Sequence, residues 1–272
     1  METDFVSTTF ESASDPKSIE DMKMDLSSNL QALLKSEGAS IVGFANLEEI
    51  PSDNRSGLPL GISIGVALSP RIVFEIAEGP TDAYLEECFR LDVVLDKLGQ
   101  KAVNILTSRG YTAKQQATTN TAGTPYPPNF TTALPHKTVA TRASLGWIGK
   151  CALLITRQFG SAVRLGSVLT DAALTTGTPI EASCCGECTV CLDIYPAHAL
   201  SRKDWEVGVP RDSLVDVIEC QKTARDRLSM RIGKEVVGRT FCGMCIAACP
   251  WTKNYIETKK DNNETGTEQT AA

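Results

Sequence analysis

Several features are missing from this 272-residue sequence, and each absence narrows the class of protein. No stretch approaches the run of about 20 apolar residues that a helix needs to cross a bilayer, so we expect no membrane partner. The acidic N-terminus lacks the basic and apolar segments of a secretory signal, which predicts a cytoplasmic protein. The net charge of −6 disfavours a general nucleic-acid binder.

Acidic residues are absent from one long segment. Residues 97–170 contain nine lysines and arginines and no aspartate or glutamate. One interpretation is a basic lining that meets an anionic ligand, such as a phosphate-bearing cofactor. The other is a solvated basic face whose acidic partners come from other segments.

Polar, acidic ends flank the part of the sequence that has regular apolar patterns. Residues 1–25 and 258–272 predict disordered tails. Between them we predict two domains, over residues 26–180 and 181–257, and an α+β fold. The apolar spacing predicts helices over 24–35, 80–109 and 137–143, and strands over 41–45, 62–68, 151–156 and 163–170.

The cysteines carry the strongest signal. Ten are present, and seven of them lie between residues 185 and 249. The two runs are Cys185-x2-Cys188-x2-Cys191-x3-Tyr195-Pro196 and Cys242-x2-Cys245-x3-Cys249-Pro250. Because thiols stay reduced in the cytosol, such clustering favours metal binding over disulfides. Cysteines at intervals of three, followed by Cys-Pro, are typical of iron–sulfur ligands.

Aligned on Pro196 and Pro250, the two runs form a pseudo-repeat of the two-cluster ferredoxin pattern. In that pattern the cysteine before proline ligates the cluster of the other run. One set of [4Fe-4S] ligands is then complete: Cys185, Cys188, Cys191 and Cys249. The other set, Cys220, Cys242 and Cys245, lacks one thiolate, because its expected fourth ligand is residue 195, which is a tyrosine. The second site is therefore predicted to hold a three-iron cluster, to recruit a non-cysteine ligand or Cys184, or to remain empty.

Other interpretations of the cysteines stay open. Two structural zinc sites would also use Cys-x2-Cys pairs, although three cysteines at intervals of three are rare in zinc modules. Cys88 lies on the apolar face of a predicted helix, and Cys151 begins an apolar strand. Both are expected in the core.

The sequence resembles a known family at several motifs. These are the run from Thr141 to Lys150 (TRASLGWIGK), the run from Leu165 to Asp171 (LGSVLTD), and the two cysteine runs that end in Cys249-Pro250-Trp251. Over about residues 28–256 they look like epoxyqueuosine reductases, and even more like the shorter 4Fe-4S double-cluster proteins related to them. The resemblance implies a catalytic α/β domain that holds cobalamin, joined to a ferredoxin-like module with two clusters. Reductive dehalogenases share this arrangement.

The resemblance also implies a function: an iron–sulfur oxidoreductase whose clusters pass electrons to a cofactor, with cobalamin expected in the N-terminal domain. The electron donor would be of the flavodoxin or ferredoxin type, and the small-molecule substrate is unknown. The residues expected to line the cofactor are His136, Lys137, Arg142, Gly146, Trp147, Gly149 and Lys150. The alternative for the glycine-rich part is a tight turn with a packed tryptophan.

The sequence departs from the reductases in two ways. Residues 129–141 contain no acidic side chain where the reductases carry a proton-donating aspartate. The reductases also carry a C-terminal helical-repeat domain for tRNA, which we do not expect here because the sequence stops after the cluster module. We therefore expect tRNA not to be a partner, and catalytic residues are not assigned. The alternative function is a ferredoxin-like electron-transfer or maturation protein without substrate chemistry of its own.

Overall fold

The computed structural model describes residues 19–117, 132–233 and 241–268. Its N-terminal part contains α1 (Ile19–Ser36), β1 (Ile41–Asn46), β2 (Leu60–Ala67), α2 (Pro70–Glu75), α3 (Asp82–Ser108), β3 (Ala113–Gln116), α4 (His136–Arg142), β4 (Trp147–Ile148), β5 (Leu154–Ile155) and β6 (Val163–Thr170). The later part contains α5 (Val190–Asp193), a 3-10 turn (Arg211–Ser213), α6 (Val217–Ile232), α7 (Met244–Ala248) and α8 (Pro250–Glu268). No helix among these residues is long and apolar enough to span a bilayer.

The central sheet has the strand order β1-β2-β6-β3, and every neighbouring pair is antiparallel. The predicted α+β class is confirmed by this mixture of helices and antiparallel strands. The α/β character expected for the N-terminal domain is wrong, because an α/β unit has parallel strands. The reason is that β6 lies between β2 and β3 and runs antiparallel to both. The spacing of apolar residues does not specify such pairing between distant segments.

Both faces of the sheet are covered. Alternate residues of β1, β2 and β6 pack with α1 and α3 on one face, and this contact forms the main core. The other face packs against α4, where Val139 and Ala143 meet Leu169. Gly61 makes this approach possible, since a Cβ there would lie 2.9 Å from Val139 Cγ1. Helix α4, which carries three predicted site residues, is thereby fixed to the sheet.

The cysteine-rich part packs on the same core. Leu228 of α6, Ala247 of α7 and Tyr255 of α8 belong to the main apolar cluster. The Tyr255 hydroxyl also donates to the carbonyl oxygen of Leu68, at 2.9 Å. The boundary at residue 181 and the ferredoxin-like character of this part stay predictions.

One predicted strand and both predicted tails differ from the structure. The strand expected over residues 151–156 is only β5, because Ala152 turns back toward Gly149 with an N–O distance of 2.8 Å and a φ of 58°. Helix α1 begins at Ile19 and helix α8 ends at Glu268, so these helices overlap the tails predicted over residues 1–25 and 258–272. The first 18 residues of the first tail, and residues 269–272 of the second, lie outside the described residues.

Candidate metal centre

Four cysteines from two distant segments line one cavity of about 100 Å³. Cys185 and Cys188 lie on the loop before α5, Cys191 lies in α5, and Cys249 lies between α7 and α8. This is the set that the proline alignment predicts, and we call it the first thiol set. That these thiols ligate iron stays a prediction. Within the described residues, no group of three or more His, Cys, Asp or Glu side chains is arranged to hold a single metal ion.

The cavity contains a fifth thiol that the sequence analysis assigned to the core. Cys151 is buried, as predicted, but it also lines the cavity and hydrogen-bonds Cys191. This bond, with the backbone amides of Cys191 and Leu192 and the charge of Lys150, lowers the pKa of Cys191 to about 7. A lowered pKa favours the thiolate, which is the form that binds metal. No sequence signal separates this role from that of an ordinary core cysteine.

Lys150 supplies positive charge at the same cavity. Its side chain is buried, donates to the carbonyl oxygen of Gly186 at 2.5 Å, and lies 3.8 Å from Asp204. A buried ammonium beside several thiols favours their ionised form and any anionic group they bind. The predicted site residue Lys150 therefore lies at the first thiol set.

Two tryptophans and a glycine hold the first thiol set against the N-terminal part. Trp147 of β4 packs edge-on against Trp251 at 5.3 Å between ring centroids, and the Arg157 guanidinium lies within 6 Å of both rings. A Cβ on Gly149 would lie 3.3 Å from Cys185 Sγ. Gly149 thus permits the close approach of the turn to the thiols.

The turn also contains Gly146, whose role is in packing. A Cβ there would lie 2.1 Å from the carbonyl oxygen of Ile155, so only glycine fits between β4 and β5. Trp147 is 1% exposed. These contacts match the alternative of a tight turn with a packed tryptophan.

The second thiol set is formed by Cys220 of α6 with Cys242 and Cys245 at α7, and Tyr195 lies with it. The Tyr195 hydroxyl donates to Cys220 Sγ at 2.7 Å. Burial raises the pKa of all three thiols, so each keeps its proton at neutral pH unless a metal replaces it. Cys245 also interacts electrostatically with Cys191, which puts the two sets side by side.

The remaining predicted lining residues lie on α4, and their polar atoms have partners within the chain. His136 Nε2 lies 3.1 Å from the Ala117 carbonyl oxygen and Nδ1 lies 3.0 Å from Ser167 Oγ. Burial lowers the pKa of His136, so its ring is neutral at pH 7. Since a carbonyl oxygen only accepts, Nε2 carries the proton and Nδ1 accepts from Ser167.

The two basic residues of α4 are also engaged. Lys137 Nζ donates to the Ala152 carbonyl oxygen at 2.8 Å, and burial lowers its pKa. Arg142 donates to the Asn46 carbonyl oxygen at 2.7 Å and to Glu49 at 2.6 Å. Both basic groups of α4 therefore already have partners within the chain. Their role in the site stays a prediction.

The acid-free segment draws its partners from elsewhere in the chain. Four of its basic residues pair with acids outside it: Lys101 with Glu37, Arg142 with Glu49, Lys150 with Asp204 and Arg164 with Asp92. For Lys101, Arg142 and Arg164 the structure favours the second interpretation, in which acids from other segments neutralise the basic residues, whereas Lys150 also lines the first thiol set.

Comparisons with known proteins identify similar reductases. No family model matches the chain. Epoxyqueuosine reductase from Atelocyanobacterium thalassa is 35% identical over 123 residues, which cover 45% of this chain and 39% of that protein. The Escherichia coli enzyme is 31% identical over 127 residues, which cover 46% of this chain and 32% of that protein. The chain therefore spans about a third to two fifths of the length of these relatives.

Solved structures extend the similarity to most of the chain. Epoxyqueuosine reductase with a modified tRNA-Tyr stem loop covers 85% of the chain and 66% of its own, with a TM-score of 0.58 and 19% identity. A reductive dehalogenase described with B12-dependent dehalogenation covers 88% of the chain and 33% of its own, with a TM-score of 0.65 and 15% identity. At these identities the likeness shows the fold.

The comparisons correct one expectation and confirm another. The expectation that excludes tRNA as a partner is wrong, because a similar reductase has been solved with its tRNA stem loop. The resemblance to epoxyqueuosine reductases, read from the motifs, is confirmed by curated sequences and by the shared fold.

Proposed function

We propose that this chain is an iron–sulfur oxidoreductase of the epoxyqueuosine reductase type, with one [4Fe-4S] cluster on Cys185, Cys188, Cys191 and Cys249. The observation that carries the proposal is the single cavity that these four cysteines line. Cys249 is more than 50 residues from the other three in sequence, so only the folded chain brings the four thiols together. Four thiols around one cavity are the donor set that a cubane needs.

The residues around the cavity have separable roles in this proposal. The four thiolates hold the cluster, and Cys151 donates a hydrogen bond to Cys191. Lys150 offsets negative charge, while Trp251 and Ile155 limit access of water. When bound, an iron–sulfur cluster supplies electrons one at a time. The buried surroundings and the lysine then set how readily the site accepts an electron.

A corrin acceptor is the second part of the proposal, and the similarity to a B12-dependent dehalogenase supports it. Two of the residues predicted to line a corrin do not by themselves fit this role. The polar atoms of Arg142 and His136 already form hydrogen bonds to other residues of the chain. Similarity to the tRNA-bound reductase likewise makes a tRNA stem loop a candidate partner. In the alternative function, an electron carrier, the acceptor is another protein instead of a corrin.

Corrin uptake separates the reductase from the carrier. The chain would be purified without oxygen, its clusters completed with iron and sulfide, and then incubated with hydroxocobalamin and desalted. The reductase predicts about one corrin per chain, whose cobalt is reduced when dithionite reduces the clusters. Iron-loaded protein that retains no corrin would contradict the reductase and favour the carrier. Added stem loop with and without epoxyqueuosine then tests tRNA binding.

A further inference from the structure

The second thiol set has three cysteines where the pattern requires four. The residue at the fourth position, Tyr195, is buried. Tyr195 is 8% exposed and lies two residues after the end of α5. It lies among Cys220, Cys242 and Cys245, with which it interacts electrostatically. Its ring therefore occupies the second site and does not point into solvent.

The reach of the tyrosine side chain determines what it does there. A cysteine at position 195 would carry its sulfur one bond from Cβ. A tyrosine instead carries its oxygen beyond an aromatic ring, and here that oxygen reaches Cys220 Sγ at 2.7 Å. The ring thus spans the space between the backbone of residue 195 and Cys220, on the side from which a cysteine at this position would approach the site.

The other cysteines are engaged elsewhere or face solvent. Cys184 is exposed, and Cys151 forms a hydrogen bond to Cys191 at the first thiol set. Cys88 is buried in the main core, where it hydrogen-bonds Tyr84. Among the described residues, the second site is therefore left with three thiols and a phenol.

We propose that the second site holds a three-iron cluster on Cys220, Cys242 and Cys245, with the Tyr195 ring filling the fourth corner. The phenol hydroxyl donates a hydrogen bond to the Cys220 sulfur and does not ligate iron. Three thiolates match the three irons, each with one protein ligand. A donated hydrogen bond stabilises charge on the thiolate sulfur. This inference rests on the proposed iron–sulfur function and extends it to the second site.

The electron count of the cluster gives a direct readout. Three ferric ions contain an odd number of electrons, so an oxidised three-iron cluster gives an electron paramagnetic resonance (EPR) signal. An oxidised cubane, with two ferric and two ferrous ions, has an even count and is silent. The reconstituted, mildly oxidised chain is expected to contain about seven irons and about one spin.

Three variants separate the ring, the hydroxyl and the thiols. Tyr195→Phe keeps the ring, so iron content and signal are expected to remain. Tyr195→Cys supplies the fourth thiolate, so iron should rise to about eight and the oxidised signal should disappear. Cys220→Ser should remove the signal and leave about four irons.

The contradicting results also separate this inference from the proposed function. About eight irons without a signal in the wild type would mean that residue 195 or another group ligates a fourth iron, and a signal that appears only in Tyr195→Phe would identify the Tyr195 oxygen as that ligand. About four irons in the wild type would mean an empty second site. Each result overturns the three-iron cluster and leaves the first thiol set intact. A chain that binds no iron at all would overturn both.

Discussion

Replacing Cys249 with serine is expected to remove the first cluster, about four irons per chain, together with most of the visible absorbance. Cys249 is the proposed ligand that connects the α7–α8 junction to the segment carrying Cys185, Cys188 and Cys191. Serine presents a hydroxyl that stays protonated at neutral pH, whereas iron–sulfur clusters are held by thiolates. The measurement is the absorbance spectrum and iron content of anaerobically purified Cys249→Ser.

The matched control is Cys184→Ser. Cys184 immediately precedes a ligand of the first thiol set, but its side chain is exposed and does not line the cavity. We expect its iron content to equal that of the wild type. Equal losses in both variants would contradict the ligand set. Retention of the cluster in Cys249→Ser would implicate Cys151, and the double variant Cys151→Ser/Cys249→Ser would then test it.

Replacing Gly160 with alanine is expected to lower the free energy of unfolding by about 3 kcal/mol or more. Gly160 has a φ of 56°, and a Cβ there would lie 2.3 Å from the backbone nitrogen of Thr252. The Thr252 hydroxyl oxygen also accepts from the backbone N–H of Ser161, and Thr252 and Trp251 donate to the Cys249 sulfur. A shift of Thr252 therefore reaches the first thiol set. A lower melting temperature, by roughly 6–12 °C, should accompany lower iron content.

Gly233→Ala is the control that separates the strain of a left-handed backbone from the steric clash between residue 160 and Thr252. Gly233 ends α6 with a φ of 64°, and among the described residues no atom lies within 4 Å of a Cβ position there. Its substitution is expected to cost only about 1 kcal/mol, from the left-handed backbone alone. If both alanines cost the same, the close packing of Gly160 on Thr252 is not what stabilises this junction.

The first thiol set was predictable because ligand spacing and the prolines that end the runs are local sequence features. The alignment of Pro196 with Pro250 also pointed to Cys249 as the distant member, and the structure brings it to the same cavity.

Other parts depended on contacts between distant residues, which sequence patterns do not specify. An apolar run that begins with Cys151 is compatible with a core strand, and only the fold brings Cys151 to Cys191. The basic charge of Arg142 suggested a ligand contact, but Glu49, 93 residues earlier, is its partner. The antiparallel sheet likewise follows from the place of β6 between β2 and β3.

The most direct test of the central claim is metal analysis of the anaerobically purified wild-type chain. Iron, acid-labile sulfide and zinc would be measured per chain in the same sample, with and without reconstitution. An iron–sulfur oxidoreductase predicts at least about four irons, a comparable amount of sulfide and no stoichiometric zinc. Stoichiometric zinc without sulfide would contradict the claim, since structural zinc uses thiolates without inorganic sulfide.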